Sequence, residues 1–383
     1  MKPKLKIAIV HDYLNQMGGA ERVVGVLHRM LPDAPIYTTI ADYDKLLPEL
    51  KDADIRTTWM QSIPGIMKRF KHFFWLYPFA VRSMDLSGYD LVISSSSAYS
   101  KGAAVKGKTI HICYCHTPMR FAWDFAAYME GNAVPDFQKR LIRWMMHPLR
   151  LWDKATSKSV HHLIANSTVV RQRIESCYDR EATVIYPPVA VSRFQISKQK
   201  ARDYFLVVSR LVSYKRIDLA VEACTKLGKQ LIVIGDGPDR KRLESLAGPT
   251  VTFMGRLSDK QVAHYMQHCA AFIFPGIEDF GITPLEVNAC GRPVVAFKGG
   301  GALDTIRPGI NGRFFDRQTI DSLAEALAGI NPSGWDSAAI RQHAEQFSEG
   351  VFMDAIARFI DSALGERKSG DRSNNGELVK SLA

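Results

Sequence analysis

One rhythm governs this chain: a short apolar run, then a stretch of helical periodicity, in two sets with a break at Pro187-Pro188. In the first set "LKIAIV", "DLVISSSS", "TIHICYC", "HHLIANS" and "TVIYPPV" read as strands, and "GAERVVGVLHRML" as a helix. After "YPPVAVSRFQISKQKARD" the rhythm restarts. Strands "YFLVVSRL", "QLIVIGDG", "TVTFMGRL" and "AAFIFPG" alternate with helices "RIDLAVEACTKLG" and "DRKRLESLAG". Such alternation needs parallel sheets covered on both faces, and right-handed crossovers make them doubly wound. The expectation is an α/β chain of two Rossmann-like domains facing a central cleft. Residues 1–190 form the first and 191–366 the second, with the last helices free to return to the first. Residues 367–383 are polar and read as a flexible tail. A length of 383 residues suits two such cores.

Charge narrows the partners. The chain carries a formal +11, and residues 1–190 hold 25 Lys and Arg against 17 Asp and Glu. That bias favours nucleic acid, anionic lipid or a phosphorylated substrate without choosing among them. The basic start is cut off from a signal-peptide pattern by His11-Asp12, and the longest uncharged stretch, 261–277, holds two histidines and ends near Pro-Gly. A cytoplasmic location follows as the expectation. Of the six cysteines only Cys113 and Cys115 are close, two apart on one strand, an awkward separation for a disulfide. No four-ligand zinc spacing is present.

In open parallel sheets a ligand lies beyond the carboxyl ends of the strands, so the loops there carry the candidates. "GIEDFGITPLEVNACGRPVV" sets Glu278 and Glu286 eight positions apart across Gly281 and Pro284. "TPLE" fits a capping box with Thr283 as N-cap, which gives Glu286 a structural task as readily as a ligand. Glu278 has no such task and reads as functional. Arg210 and Lys215 in "SRLVSYKR" are placed to hold a diphosphate, with Arg216 as a substitute for Lys215; the alternative is a solvated loop. "VIGDGP" and "NQMGGAE" resemble phosphate loops, but neither completes G-x-G-x-x-G, so a nicotinamide or flavin reading is weak. His116 at the end of "TIHICYC" is either a structural histidine or a hydrogen-bonding or acid–base group. The acid pairs Asp42/Asp44 and Asp52/Asp54 lie away from any strand's carboxyl end and read as surface, so no metal is required. "IMKRFKHFFWLYPF" places Lys68, Arg69 and Lys71 beside Phe70, Phe73, Phe74 and Trp75, and "FQKRLIRWMMHPLRLWDK" repeats the theme with a break at Pro148. Each is either a membrane-surface helix or a helix docked on its own domain.

Together these loops resemble the retaining glycosyltransferases of family 4, with the two-domain GT-B fold. The resemblance rests on the Glu278/Glu286 register, "GRPVVAFKGGGALDTI", "NGRFF", "SRLVSYKRIDLAVEA" and "VIGDGPDRKRLE". "HDYLNQMGGAERVV" and "YCHTPMRFAWD" are similar to a bacterial branch that builds O-antigen and other surface polysaccharides, with several mannosyltransferases among its members. The resemblance implies that Arg210 and Lys215 neutralise the donor diphosphate without a metal, and that Glu286 binds the ribose hydroxyls. It implies that Glu278 holds the donor sugar, with backbone N–H groups of Phe280, Gly281 and Ile282 beside it. His116 would contact the sugar from the opposite domain, Gly19 would lie near the phosphates and acceptor, and Gly255, Arg256 and Leu257 near the base. The implied reaction is metal-independent, cofactor-free sugar transfer with retained configuration, most simply mannose from GDP-mannose to a polyprenyl-diphosphate-linked glycan at the inner face of the cell membrane. The alternatives are a UDP-sugar-dependent transferase and a nucleotide-sugar 2-epimerase of related fold. A non-catalytic nucleotide-sugar-binding protein is disfavoured by Arg210, Lys215, Glu278 and His116 occurring together. No nucleic-acid-binding module is recognised.

Overall fold

Seven parallel strands build the first sheet: β1 (Ile7–His11), β2 (Ile36–Thr38), β3 (Ile55–Thr57), β4 (Leu91–Ser96), β5 (Ile110–Cys115), β6 (His162–Ala165) and β7 (Thr183–Val184), in the order β3-β2-β1-β4-β5-β6-β7. Six more build the second: β8 (Phe205–Val208), β9 (Leu231–Ile234), β10 (Val251–Gly255), β11 (Ala271–Phe274), β12 (Val294–Phe297) and β13 (Gly312–Phe315), in the order β10-β9-β8-β11-β12-β13. The computed structural model describes residues 5–124 and 136–380.

Both orders reverse direction once, between β1 and β4 in one sheet and between β8 and β11 in the other. The crevice at such a reversal is where open α/β sheets bind ligands. The central strands β4, β5 and β11 are buried along their whole length, as parallel strands covered on both faces must be. Two polar side chains meet in that interior: Ser94 Oγ and His111 Nε2 lie 2.8 Å apart.

Helix α1 (Gly19–Met30) lays Val23, Val24 and Leu27 on one face of the first sheet. The last helix, Glu349–Lys380, shares that core through Phe352, Ile356 and Ile360, and Arg29 meets Glu349 at 2.6 Å. The chain therefore crosses between domains twice. The two crossings run side by side, tied by Val189 N–H donating to Phe347 O at 2.9 Å. The final helix continues through Lys380 over the segment expected as a tail, and 381–383 lie outside the described residues.

Three local expectations need correction. The helix expected to start at Pro284 with Thr283 as its N-cap starts at Ile282, behind Gly281 with φ 90°, so Thr283 lies in its first turn and Glu286 in its second. The capping-box explanation of Glu286 is thereby removed. Residues 66–77 do not form one amphipathic helix: a helical turn at Ile66–Arg69 gives way to a 3₁₀ turn at Phe70–Phe73. Phe70, Phe73, Phe74 and Trp75 pack half-buried against the domain's own core, while Lys68, Arg69 and Lys71 stay exposed. The second basic stretch is not broken at Pro148, because one helix runs Asp136–Ser159 through it. Cys113 and Cys115 are free and buried.

Candidate functional site

The wall from the first domain begins at β1. Asp12 follows it and accepts four backbone N–H groups, from Ser97 (2.6 Å), Ala98 (3.0 Å), Tyr99 (2.7 Å) and Ser100 (2.6 Å). One carboxylate thus fixes the loop after β4, by charge-assisted bonds roughly twice as strong as neutral ones. Ser95 links two histidines at the sheet's reversal: its carbonyl faces His11 Nδ1 at 3.0 Å and its hydroxyl faces His116 Nε2 at 2.8 Å.

The two rings are driven apart electrically. Burial, and then the nearby His11, lowers the His116 pKa to about 4, so this imidazole is neutral at ordinary pH. At His11 burial also works to lower the pKa, but the hydrogen bond and charge of Glu21 outweigh it and the net direction is up. Glu21 in turn accepts the Gly18 N–H at 3.0 Å and so satisfies the backbone donor of the residue that caps α1. Gly19 sits at that start, where a Cβ would stand 3.1 Å from Ile282 Cδ1 of the opposite domain. The glycine permits the two domains to approach this closely.

The wall from the second domain is a stack of loops. Gly235 has φ 131°, and a Cβ there would lie 1.9 Å from Ser209 O; one at Gly237 would lie 2.2 Å from Leu211 O. These glycines let the loop after β9 rest directly on the loop after β8, which explains "GDG" without a phosphate. The supported loop presents Arg210, whose Nη2 reaches the Tyr214 hydroxyl at 3.3 Å, and Lys215, which pairs with Glu278. Arg216 turns away with φ 52° and meets Asp218 at 3.2 Å, so it does not stand in for Lys215.

Two cavities meet between the walls. One of about 460 Å³ is lined by Gly19, Arg210, Lys215 and Glu278. The other, about 450 Å³, is lined by His116, Arg120, Asn166, Glu278, Asp279 and residues Phe280 to Ile282. Glu278, Gly19 and Gly281 border both. Glu286 borders neither, because Arg22 of α1 reaches across and holds its Oε1 at 2.6 Å. Gly255, Arg256 and Leu257 also lie outside both, at the carboxyl end of β10.

The sequence reading did not single out Arg22, Ser95, Arg120, Arg173 or Asp279. Their roles depend on contacts between segments far apart in the chain, and only the position of Asp279 beside Glu278 offered a local hint. Among the described residues no group of three His, Cys, Asp or Glu is placed to hold a metal ion. Asp42 meets Lys45 at 2.5 Å and Asp54 meets Arg56 at 2.7 Å, both on the surface.

Two Rossmann-like domains whose sheet reversals face one cleft, with cations on one wall and a neutral histidine on the other, define a GT-B glycosyltransferase architecture. Comparison with known proteins agrees. The family model of group 1 glycosyl transferases matches residues 189–346, and that of glycosyltransferase family 4 matches 17–193. The two matches adjoin one another and together span residues 17–346, and the chain is a glycosyltransferase of the GT-B, family 4 type. An uncharacterized glycosyltransferase of Methanocaldococcus jannaschii is 23% identical over 90% of this chain and 93% of its own length. The human alpha-1,3/1,6-mannosyltransferase ALG2 is 25% identical over 66% of this chain and 67% of its own. The fold is also that of Anabaena HepE, solved in complex with UDP, with TM-score 0.71, 17% identity, and coverage of 94% of this chain and all of that one. Sucrose-phosphate synthase of Thermosynechococcus elongatus superposes with TM-score 0.73 at 17% identity, over 95% of this chain and 100% of that one.

Proposed function

We propose that this chain is a retaining, metal-independent mannosyltransferase that moves mannose from GDP-mannose to a polyprenyl-diphosphate-linked oligosaccharide in bacterial surface-polysaccharide synthesis. The observation that carries the reading is the Lys215–Glu278 pair beside Arg210, at the border of a cavity whose other side holds His116. Arg210 and Lys215 bind the diphosphate, and their charge stabilises it as it departs. Glu278 accepts hydrogen bonds from sugar hydroxyls, and neutral His116, whose Nε2 faces the Ser95 hydroxyl, offers its other ring nitrogen to the sugar. Glu286 takes the ribose hydroxyls once Arg22 releases it.

With acceptor and donor held in one cleft, the leaving phosphate takes the acceptor's proton while the new bond forms on the same face of the sugar. The barrier is lowered chiefly by positioning and charge. The choice of mannose rests on the similarity to bacterial surface-polysaccharide mannosyltransferases and to human ALG2. A lipid-linked acceptor places the enzyme on the inner membrane face, where exposed Lys68, Arg69 and Lys71 offer a basic surface. No described helix is long and apolar enough to cross a membrane.

A UDP-sugar donor is the second reading, favoured by the fold shared with HepE, solved with UDP-glucose. Thermal melting in the presence of GDP, UDP, ADP and their sugar conjugates separates the two, since a ligand bound only by the folded state raises the melting temperature. Stabilisation by GDP and GDP-mannose supports the first reading; stabilisation by UDP compounds alone rejects GDP-mannose.

A further inference from the structure

Asp279, the residue after Glu278, is gripped by two arginines from the other domain. Arg120 Nη2 holds Oδ2 at 2.7 Å, and Arg173 Nη1 holds Oδ1. Both carboxylate oxygens are thus occupied, and all three side chains are at least two-thirds buried. The same Nη1 of Arg173 lies 3.3 Å from the hydroxyl of Thr117, the residue after His116. One guanidinium therefore ties the neighbour of His116 to the neighbour of Glu278, across the cleft.

The arginines are themselves held to the second domain's side. Arg173 rides on the Thr168–Tyr178 helix, whose first N–H donates to Asp304 Oδ2 of the second domain at 2.7 Å. A carboxylate at a helix N-terminus satisfies an otherwise unpaired donor and complements the helix dipole. Arg120 also lies over the Tyr214 ring, 6.0 Å from its centroid, next to Lys215.

We propose that Asp279, Arg120 and Arg173 form a positioning clasp that sets the separation of His116 and Glu278 across the cleft. This rests on the reading above that these two residues hold the donor sugar from opposite sides. The clasp pairs with neither the diphosphate cations nor Glu286 and meets the cation loop only through the Tyr214 ring, so its loss falls chiefly on the transfer step. Asp279 and its arginines are positioning residues, not catalytic ones. A misplacement of about 1 Å in such a site lowers rate by as much as ~100-fold.

Two measurements test it on the full chain. In the first, paired spin labels on α1 and on the Arg240–Leu246 helix report the distance between domains without any substrate. Asp279→Asn and Arg173→Gln widen that distance distribution; His116→Gln and Glu278→Gln leave it unchanged. An unchanged distribution in the Asp279 and Arg173 variants overturns the proposal.

The second follows nucleoside diphosphate release from GDP-mannose and, in parallel, UDP-glucose, with GDP and UDP binding measured by calorimetry. Asp279→Asn lowers kcat by about 10- to 100-fold, while nucleotide Kd is unchanged or tightened by no more than about fivefold, the effect of parting Arg22 from Glu286. The Asp279→Asn/Arg173→Gln double variant falls no further than Asp279→Asn alone, because that change already removes the Arg173 contact. Arg173→Lys, which keeps the charge, recovers part of the loss. Full turnover in Asp279→Asn, or losses that multiply in the double variant, contradicts the clasp. If His116→Gln and Glu278→Gln keep full turnover while the domains still part in Asp279→Asn, the sugar-site reading fails and the clasp survives only as a hinge restraint.

Discussion

Arg22 of the first domain holds the Glu286 carboxylate of the second at 2.6 Å, leaving the Glu286 side chain only 10% exposed. A ribose seeking that carboxylate therefore competes with a guanidinium of the same chain. An ion pair of this partly exposed kind contributes up to about 1 kcal/mol, or roughly a fivefold effect on an equilibrium. Arg22→Ala is expected to tighten GDP binding by about two- to fivefold and to leave inorganic pyrophosphate binding unchanged. Calorimetric titration of both ligands checks this; weaker binding of both would instead place Arg22 at the phosphates.

The diphosphate cations give a sharper outcome. Lys215→Ala and Arg210→Ala are each expected to lower kcat by about 100- to 1000-fold, the range for removing one preorganised donor to developing charge. The folded state should persist in near-ultraviolet circular dichroism, since neither side chain enters the core. Turnover in excess EDTA should equal turnover without it; loss on chelation would reveal a metal requirement.

The buried histidines make stability depend on pH with a definite sign. His116 is lowered to about 4 by burial and then by His11, and His111 to about 3 by burial and then by His161. Below their ordinary value of 6.5 the unfolded chain binds protons that the fold refuses, so stability falls as pH falls. The slope is about 1.4 kcal/mol per pH unit for each such histidine. His11, shifted the other way, loses its contribution only as pH rises above 6.5 through its raised value. Urea unfolding from pH 6.5 to 4.5 should show a shallower loss in His116→Asn than in the wild type; parallel losses would contradict the assignment.

The glycines under the cation loop differ from those on the surface. At Gly235 a Cβ meets Ser209 O at 1.9 Å with φ 131°, whereas at Gly65 nothing lies within 4 Å at φ 72°. Gly65→Ala should therefore cost about 1 kcal/mol from backbone strain alone, and Gly235→Ala at least about 3. Thermal melting of the two variants reads the difference; equal losses would mean that the loops separate freely.

Much of this fold is legible in the sequence because its strands are buried on both faces. "DLVISSSS" and "TIHICYC" announce β4 and β5 by composition, and the cations of the β8 loop follow from where a strand must end. Three-residue β2 and β3 offer no comparable run, and the spacing of 66–77 could not tell a lipid face from the core face on which Phe70, Phe73, Phe74 and Trp75 pack. Glu286 shows the deeper limit. Its register with Glu278 was visible, but its partner Arg22 lies 264 residues away and is brought near only by domain closure. Asp279 is similar: an acid beside Glu278 in the chain, whose meaning comes from two arginines of the other domain.

The most direct test supplies GDP-mannose and a polyprenyl-diphosphate oligosaccharide to the purified protein and determines the product's anomeric configuration by NMR. The account predicts a new α-mannosyl linkage, formed without added metal and lost in Lys215→Ala. A β-linked product, or a nucleotide sugar epimerised without any acceptor, would contradict it.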